Sequence, residues 1–262
     1  MDWYERQRRR DAEGRALSES LLGPELGVFQ EAMAIMTRCL GIVRASDWAG
    51  SLATRRKIQY ANHAFNLLWS AWDSMLAGRY DAAAQLERSI DESSDFLMAL
   101  YADPSFADDI PSTTKDVYKA RRAIRDFLDG GGKGAGTEWF RRREQQAKSH
   151  QPFGHVSYET TTSLPVTVED GAKVAYVRPG GFVAEPTLRI DACGFAAAAS
   201  AMMPIFVLAF SDIAEIEAMW RELPVICRRQ HVVIAEQLKG LDYPAGEVDF
   251  LAFLPSDSEV GA

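Results

Sequence analysis

"SLATRRKIQYANHAFNLLWSAWDSMLAG", Ser51–Gly78, carries the clearest periodicity in the chain. Ile58, Phe65 and Trp72 stand seven residues apart, and Ala61, Leu68 and Met75 repeat at the same interval. Seven residues nearly complete two helical turns, so the two sets form one apolar seam along a single face. Trp69 and Leu76 widen that seam, and Gly78 supplies a stop.

The next stretch, "GRYDAAAQLERSIDESSDFLMALYADP" (Gly78–Pro104), reads as a second helix with its punctuation. Asp81 is placed to cap its first turn. Ala83, Leu86, Ile90, Leu97 and Leu100 give a buried stripe that Ser93 interrupts. Asp103 precedes a proline and so avoids helical angles. Two long helices joined by so short a turn run antiparallel, as a helical hairpin. Upstream, Pro24 suits a first helical position, and Leu26, Phe29, Met33, Met36, Leu40 and Val43 recur at helical steps to Ala45. Residues 1–23 are charged and lack an apolar period, which predicts a frayed arm or a helix that leans on a partner.

Downstream, "PSTTKDVYKARRAIRDFLDGGG" predicts another helix, with Thr113 and Asp116 at capping-box spacing. Val117, Ala120, Ile124, Phe127 and Leu128 form its inner face. A glycine-rich connector, Gly130 to Gly136, leads to a shorter basic helix capped by Thr137 and running to about His150. From Ser163 the period changes to two. Val166 and Val168, an Asp170-Gly171 turn, then Val174 and Val177 give a β-hairpin signal, with Phe182-Val183 as a third short strand. Helices return over Thr187–Phe210, kinked near Pro204, and Asp212–Lys239, kinked near Pro224, with Gly240 as stop. The fold class predicted is mainly α: an antiparallel multi-helix bundle with a small β-hairpin inserted around residues 163–183. A charged N-terminal arm (1–23) and an acidic C-terminal tail (243–262) flank a single helical domain over 24–242.

A chain of 262 residues, 47% hydrophobic and 25% charged, has the composition of a soluble globule. Its net charge of -8 disfavours nucleic acid and anionic membranes as partners. One basic stretch runs against that balance: Lys115 to His150 holds ten Lys or Arg against five Asp or Glu. The three cysteines, Cys39, Cys193 and Cys227, form no CxxC and sit among apolar residues. They indicate neither zinc nor a disulfide framework, and they fit a reducing cytoplasm. The first fifteen residues have charge without an apolar run behind it, unlike a secretory signal. "CGFAAAASAMMPIFVLAF", Cys193–Phe210, is uncharged over eighteen residues, near the lower limit for crossing a membrane. Six alanines, Pro204 and acidic flanks at Asp191 and Asp212 favour a buried soluble helix instead.

The residues able to carry chemistry are few. "GGGKGAG" (Gly130–Gly136) fails the phosphate-loop pattern, because Gly134 rather than Ser or Thr follows Lys133 and a helix precedes the loop. The four histidines, His63, His150, His155 and His231, make no HxxxH or HExxH, so no metal site or cofactor is implied. His150 and His155 beside a basic helix are candidates for proton transfer. Arg143 and His150 are seven apart, as are Arg56 and His63, a spacing that lets arginine and imidazole converge on one phosphate. The imidazole would then move a ribose proton while the guanidinium stabilised charge on phosphorus. Arg88 and Glu92, one turn apart, pair as a structural strut that fixes helix register.

The segment Gly78–Asp109, with Arg88-x-x-x-Glu92 followed by a "DP" turn, resembles a recurring segment of uncharacterised bacterial helical-bundle proteins that are distantly similar to HEPN bundles. The resemblance covers about Ser51 to His155. It implies an Arg-x4-6-His motif with a polar residue after the arginine, met by Arg143-Glu144 to His150 and by Arg56-Lys57 to His63. Two expectations of different class follow. One is a non-catalytic binding or dimerisation module, with a homo-oligomer or another protein as partner. The alternative is a HEPN-like, metal-independent endoribonuclease of a toxin–antitoxin or phage-defence system, with RNA as substrate and His150 facing its counterpart across a two-fold axis. A small-molecule site in the bundle is a third.

Overall fold

The computed structural model describes residues 2–46, 50–108, 115–130, 134, 136–144, 167–169, 172–174 and 185–241. Within them the chain is mainly α, a helical bundle. Its helices are α1 (Trp3–Leu21), α2 (Pro24–Ala45), α3 (Leu52–Leu76), α4 (Tyr80–Ala102), α5 (Lys115–Asp129), α6 (136–144), α7 (Glu185–Ala209) and α8 (Ala214–Gly240). A 3-10 turn, Pro104–Ala107, follows α4.

Helix α7 is the axis of the molecule and touches α2, α3, α4 and α8. Its uncharged run gives it apolar side chains on every face. Leu188, Ala192, Cys193, Ala196, Ala199, Met203, Phe206 and Val207 are fully buried. By length and composition both α2 and α7 are apolar enough to cross a membrane, but 72% of the apolar α7 window is buried within the bundle and 39% of that in α2. A helix enclosed on all sides is a core helix, whereas α2 is apolar on more faces than the bundle covers.

Helices α3 and α4 form the predicted hairpin. Ser51 caps α3 by accepting from the Thr54 amide, and Gly78, at φ 71°, makes the turn that side-chain-bearing residues resist. The seam behaves as its spacing requires at Ala61, Leu68, Trp72 and Met75, all buried. Trp69 does not join it and is 54% exposed. Asp81 lies inside α4, whose N-cap is Arg79. Phe127, predicted on the inner face of α5, is 46% exposed, its ring T-shaped to Tyr101 with centroids 5.6 Å apart.

The first residues are not a frayed arm. They form α1, which docks on α3 of its own chain through small and polar residues, Asp11, Gly14 and Ser18. Of the hairpin insertion predicted over 163–183, only residues 167–169 and 172–174 are described. Two three-residue strands, Thr167–Glu169 and Ala172–Val174, pair antiparallel; the rest of that stretch and the acidic tail lie outside the described residues.

Candidate functional site

Two assemblies stand out, a buried ion-pair network and a groove. The first is built on α4. Asp91 and Asp95 are one turn apart and so project from the same face. Arg121 of α5 donates from Nε to Asp95 at 2.7 Å and from a terminal nitrogen to Glu144 at 3.1 Å. Arg143 of α6 donates to Asp95 at 2.8 Å, to the Asp91 carboxylate at 3.0 Å and to the Asp91 carbonyl at 2.9 Å. Asp95 and Arg121 are almost wholly buried, at 2% and 4% exposure. Burial opposes charge on Arg143, but Asp91 and Asp95 outweigh it and hold the guanidinium above its ordinary range. Arg121 is raised in the same way, chiefly by Asp95 against burial.

Local structure delivers α6 to this cluster. The Asp129 carboxylate, at the end of α5, accepts from the amides of Gly136 and Thr137 and from the Thr137 hydroxyl. The Gly136 amide is therefore given to a carboxylate. A Cβ on Gly136 would stand 2.1 Å from the Arg125 carbonyl oxygen, so only glycine lets α6 approach α5 this closely.

Arg143 thus sits in an ion-pair network that ties α6 to α4. His150 and His155 lie outside the described residues. In the second Arg–His spacing Arg56 donates to Gln59 at 3.0 Å and His63 is exposed. Lys57, next to Arg56, donates to the Ala209 carbonyl at 2.9 Å and caps the end of α7; burial lowers its pKa, opposed by Asp212. Arg88 donates to Glu92 at 2.8 Å with both side chains about one-third exposed. Asp91, Asp95 and Arg121 are not singled out by the sequence, and Glu144 only as the polar residue after Arg143. Their one local signal is the break in the α4 apolar stripe, where Ser93, Ser94 and Asp95 are consecutively buried.

The second assembly is a groove of about 320 Å³ between α1, α2 and α3. Phe29 of α2 stacks on Trp72 of α3, with centroids 3.9 Å apart and planes 8° apart, and holds the two helices at its floor. Met33 and Leu76 complete that floor, while Phe65 and Trp69 form one wall. Phe65 and Trp69 both line this opening, which accounts for their partial exposure. The α1 end is polar. Arg15 donates twice to Asp73, each bond 2.7 Å, Ser18 donates to the Leu76 carbonyl at 2.9 Å, and Arg79 pairs with Asp11. Glu19 lies at the same end, exposed.

Among the described residues no group of three or more His, Cys, Asp or Glu side chains is placed to hold a metal ion. The thiols of Cys39, Cys193 and Cys227 are all buried, and burial pushes them up to about 12, 11 and 12 respectively, out of the range of reactive thiolates. Fold and site together define a helical bundle with an aromatic groove. Compared with family models, curated proteins and solved structures, the chain matches none of them.

Proposed function

We propose that this chain is a non-catalytic binding protein whose ligand enters the groove between α1, α2 and α3. The carrying observation is the groove itself: a concavity of about 320 Å³, within the size range of small-molecule sites, with four aromatic rings and a few polar groups at one end. The commitment of Arg143 to Asp91 and Asp95 supports the same reading. A HEPN-like endoribonuclease needs that guanidinium at a scissile phosphate, and withdrawing it would break its bonds to both carboxylates, one of them almost wholly buried. Buried, protonated cysteines suit a cytoplasmic setting.

The test uses the neutral fluorophore N-phenyl-1-naphthylamine. One equivalent is expected to bind the native chain with enhanced emission. Ala34→Trp, which adds bulk at an exposed lining position of α2 without touching the core, is expected to abolish binding. Emission unchanged by the protein, or unaffected by Ala34→Trp, would overturn the reading.

A further inference from the structure

Resting on that reading, we infer that the groove selects an organic cation: an aryl or alkyl ammonium, held by the aromatic wall and the acidic α1 end.

The aromatic half of the argument is geometric. Phe29, Phe65, Trp69 and Trp72 line one groove, and Trp69 is 54% exposed there. An aromatic face carries negative quadrupole charge, and indole is the strongest such surface in proteins. Trp72 gives one face to Phe29, so Trp69 and Phe65 are the rings with surface to offer.

The electrostatic half concerns the α1 end. The lining there holds two carboxylates, Glu19 and Asp73, against one arginine, Arg15, and the Asp11–Arg79 ion pair stands outside the lining. Both arginines are committed: Arg15 chelates the Asp73 carboxylate and Arg79 pairs with Asp11. The Asp73 hydrogen bonds raise the Arg15 pKa against burial, and Asp11 and Glu19 add to it through space. The cluster is therefore left with one excess negative charge, and Glu19 is the carboxylate at the groove mouth. An anionic ligand would meet this charge unaided, because using Arg15 means breaking a two-pronged ion pair. A neutral ligand leaves Glu19 solvated and gains only the apolar contact. A cation gains both the ring faces and the carboxylate.

Three probes of one shape separate these terms: phenyltrimethylammonium, its uncharged isostere tert-butylbenzene, and benzenesulfonate. Each competes with bound N-phenyl-1-naphthylamine. Phenyltrimethylammonium is expected to displace the dye at a concentration at least about ten-fold below that needed for either other probe. It is also expected to shift the indole N–H resonances of Trp69 and Trp72 in the ¹⁵N-labelled protein. Glu19→Gln, an exposed and structurally undemanding change, is expected to weaken that probe about three- to ten-fold while leaving tert-butylbenzene unchanged. Equal competition by benzenesulfonate or tert-butylbenzene would overturn the inference while dye binding kept the groove. So would indifference to Glu19→Gln. Failure of the dye to bind would remove the groove and the inference together.

Discussion

Asp95 is the residue on which the α4–α6 region turns. It comes from the middle of an otherwise apolar stripe, is 2% exposed, and accepts from both Arg121 and Arg143. A carboxylate so enclosed is tolerable only when its charge is matched and its lone pairs are filled. Removing one arginine therefore costs more than the bond it made, because the enclosed carboxylate is left with one cation and fewer donors than its buried lone pairs need. Arg143→Ala is expected to destabilise the fold by about 3–5 kcal/mol. Arg88→Ala, which frees Glu92 to turn toward water, is expected to cost under about 1 kcal/mol. Chemical denaturation of both variants checks the contrast. Similar losses would mean that the buried network is no more than a surface pair. The two arginines look alike in sequence, and only the burial of their partners separates them.

At the scale of the elements, readability depended on whether the information was local. Helix α2 begins at Pro24 and ends at Ala45 as its stripe and punctuation require, and the α3–α4 hairpin follows from Gly78 and a short turn. The sequence leaves α1 as either a frayed arm or a helix leaning on a partner because its docking face, Asp11, Gly14 and Ser18, is polar or small and gives no apolar period. The ion network was invisible for another reason: its partners are separated by 23 to 52 residues, beyond any helical spacing. Trp69 was assigned to the core because periodicity reports which face a residue occupies, not whether another helix covers that face. The glycine connector shows the same limit. Its sequence suggests slack, yet Gly136 is the contact point of α6 on α5. Gly136→Ala is expected to push α6 off α5, at about 1–3 kcal/mol. Hydrogen exchange should quicken over 136–144 while α3 and α7 keep their protection. Unchanged exchange over 136–144 would show that the close approach does not hold α6.

The whole molecule is organised around α7, and its pH response should be too. Asp191 sits near the start of that helix, half-buried, and burial first and the neighbouring Glu87 of α4 second push its pKa up to about 7. In the unfolded chain an aspartate titrates near 3.9. Between about pH 4 and pH 7 the native state thus holds a proton that the unfolded chain has released. Stability from this group is greatest at the acidic end of that window and falls as pH rises through it. Above pH 7 the native carboxylate is ionised beside Glu87, and the cost becomes constant. Asp191→Asn keeps the shape and removes the titration. The variant is expected to match the parent near pH 4 and to exceed it by about 2–4 kcal/mol at pH 8. The comparison is a difference between the two proteins, so that every titrating group they share cancels. Urea denaturation of each at pH 4.5, 6 and 8 measures that difference directly. Parallel stability curves would show that Asp191 titrates normally, and that the central helix carries no buried acid against α4.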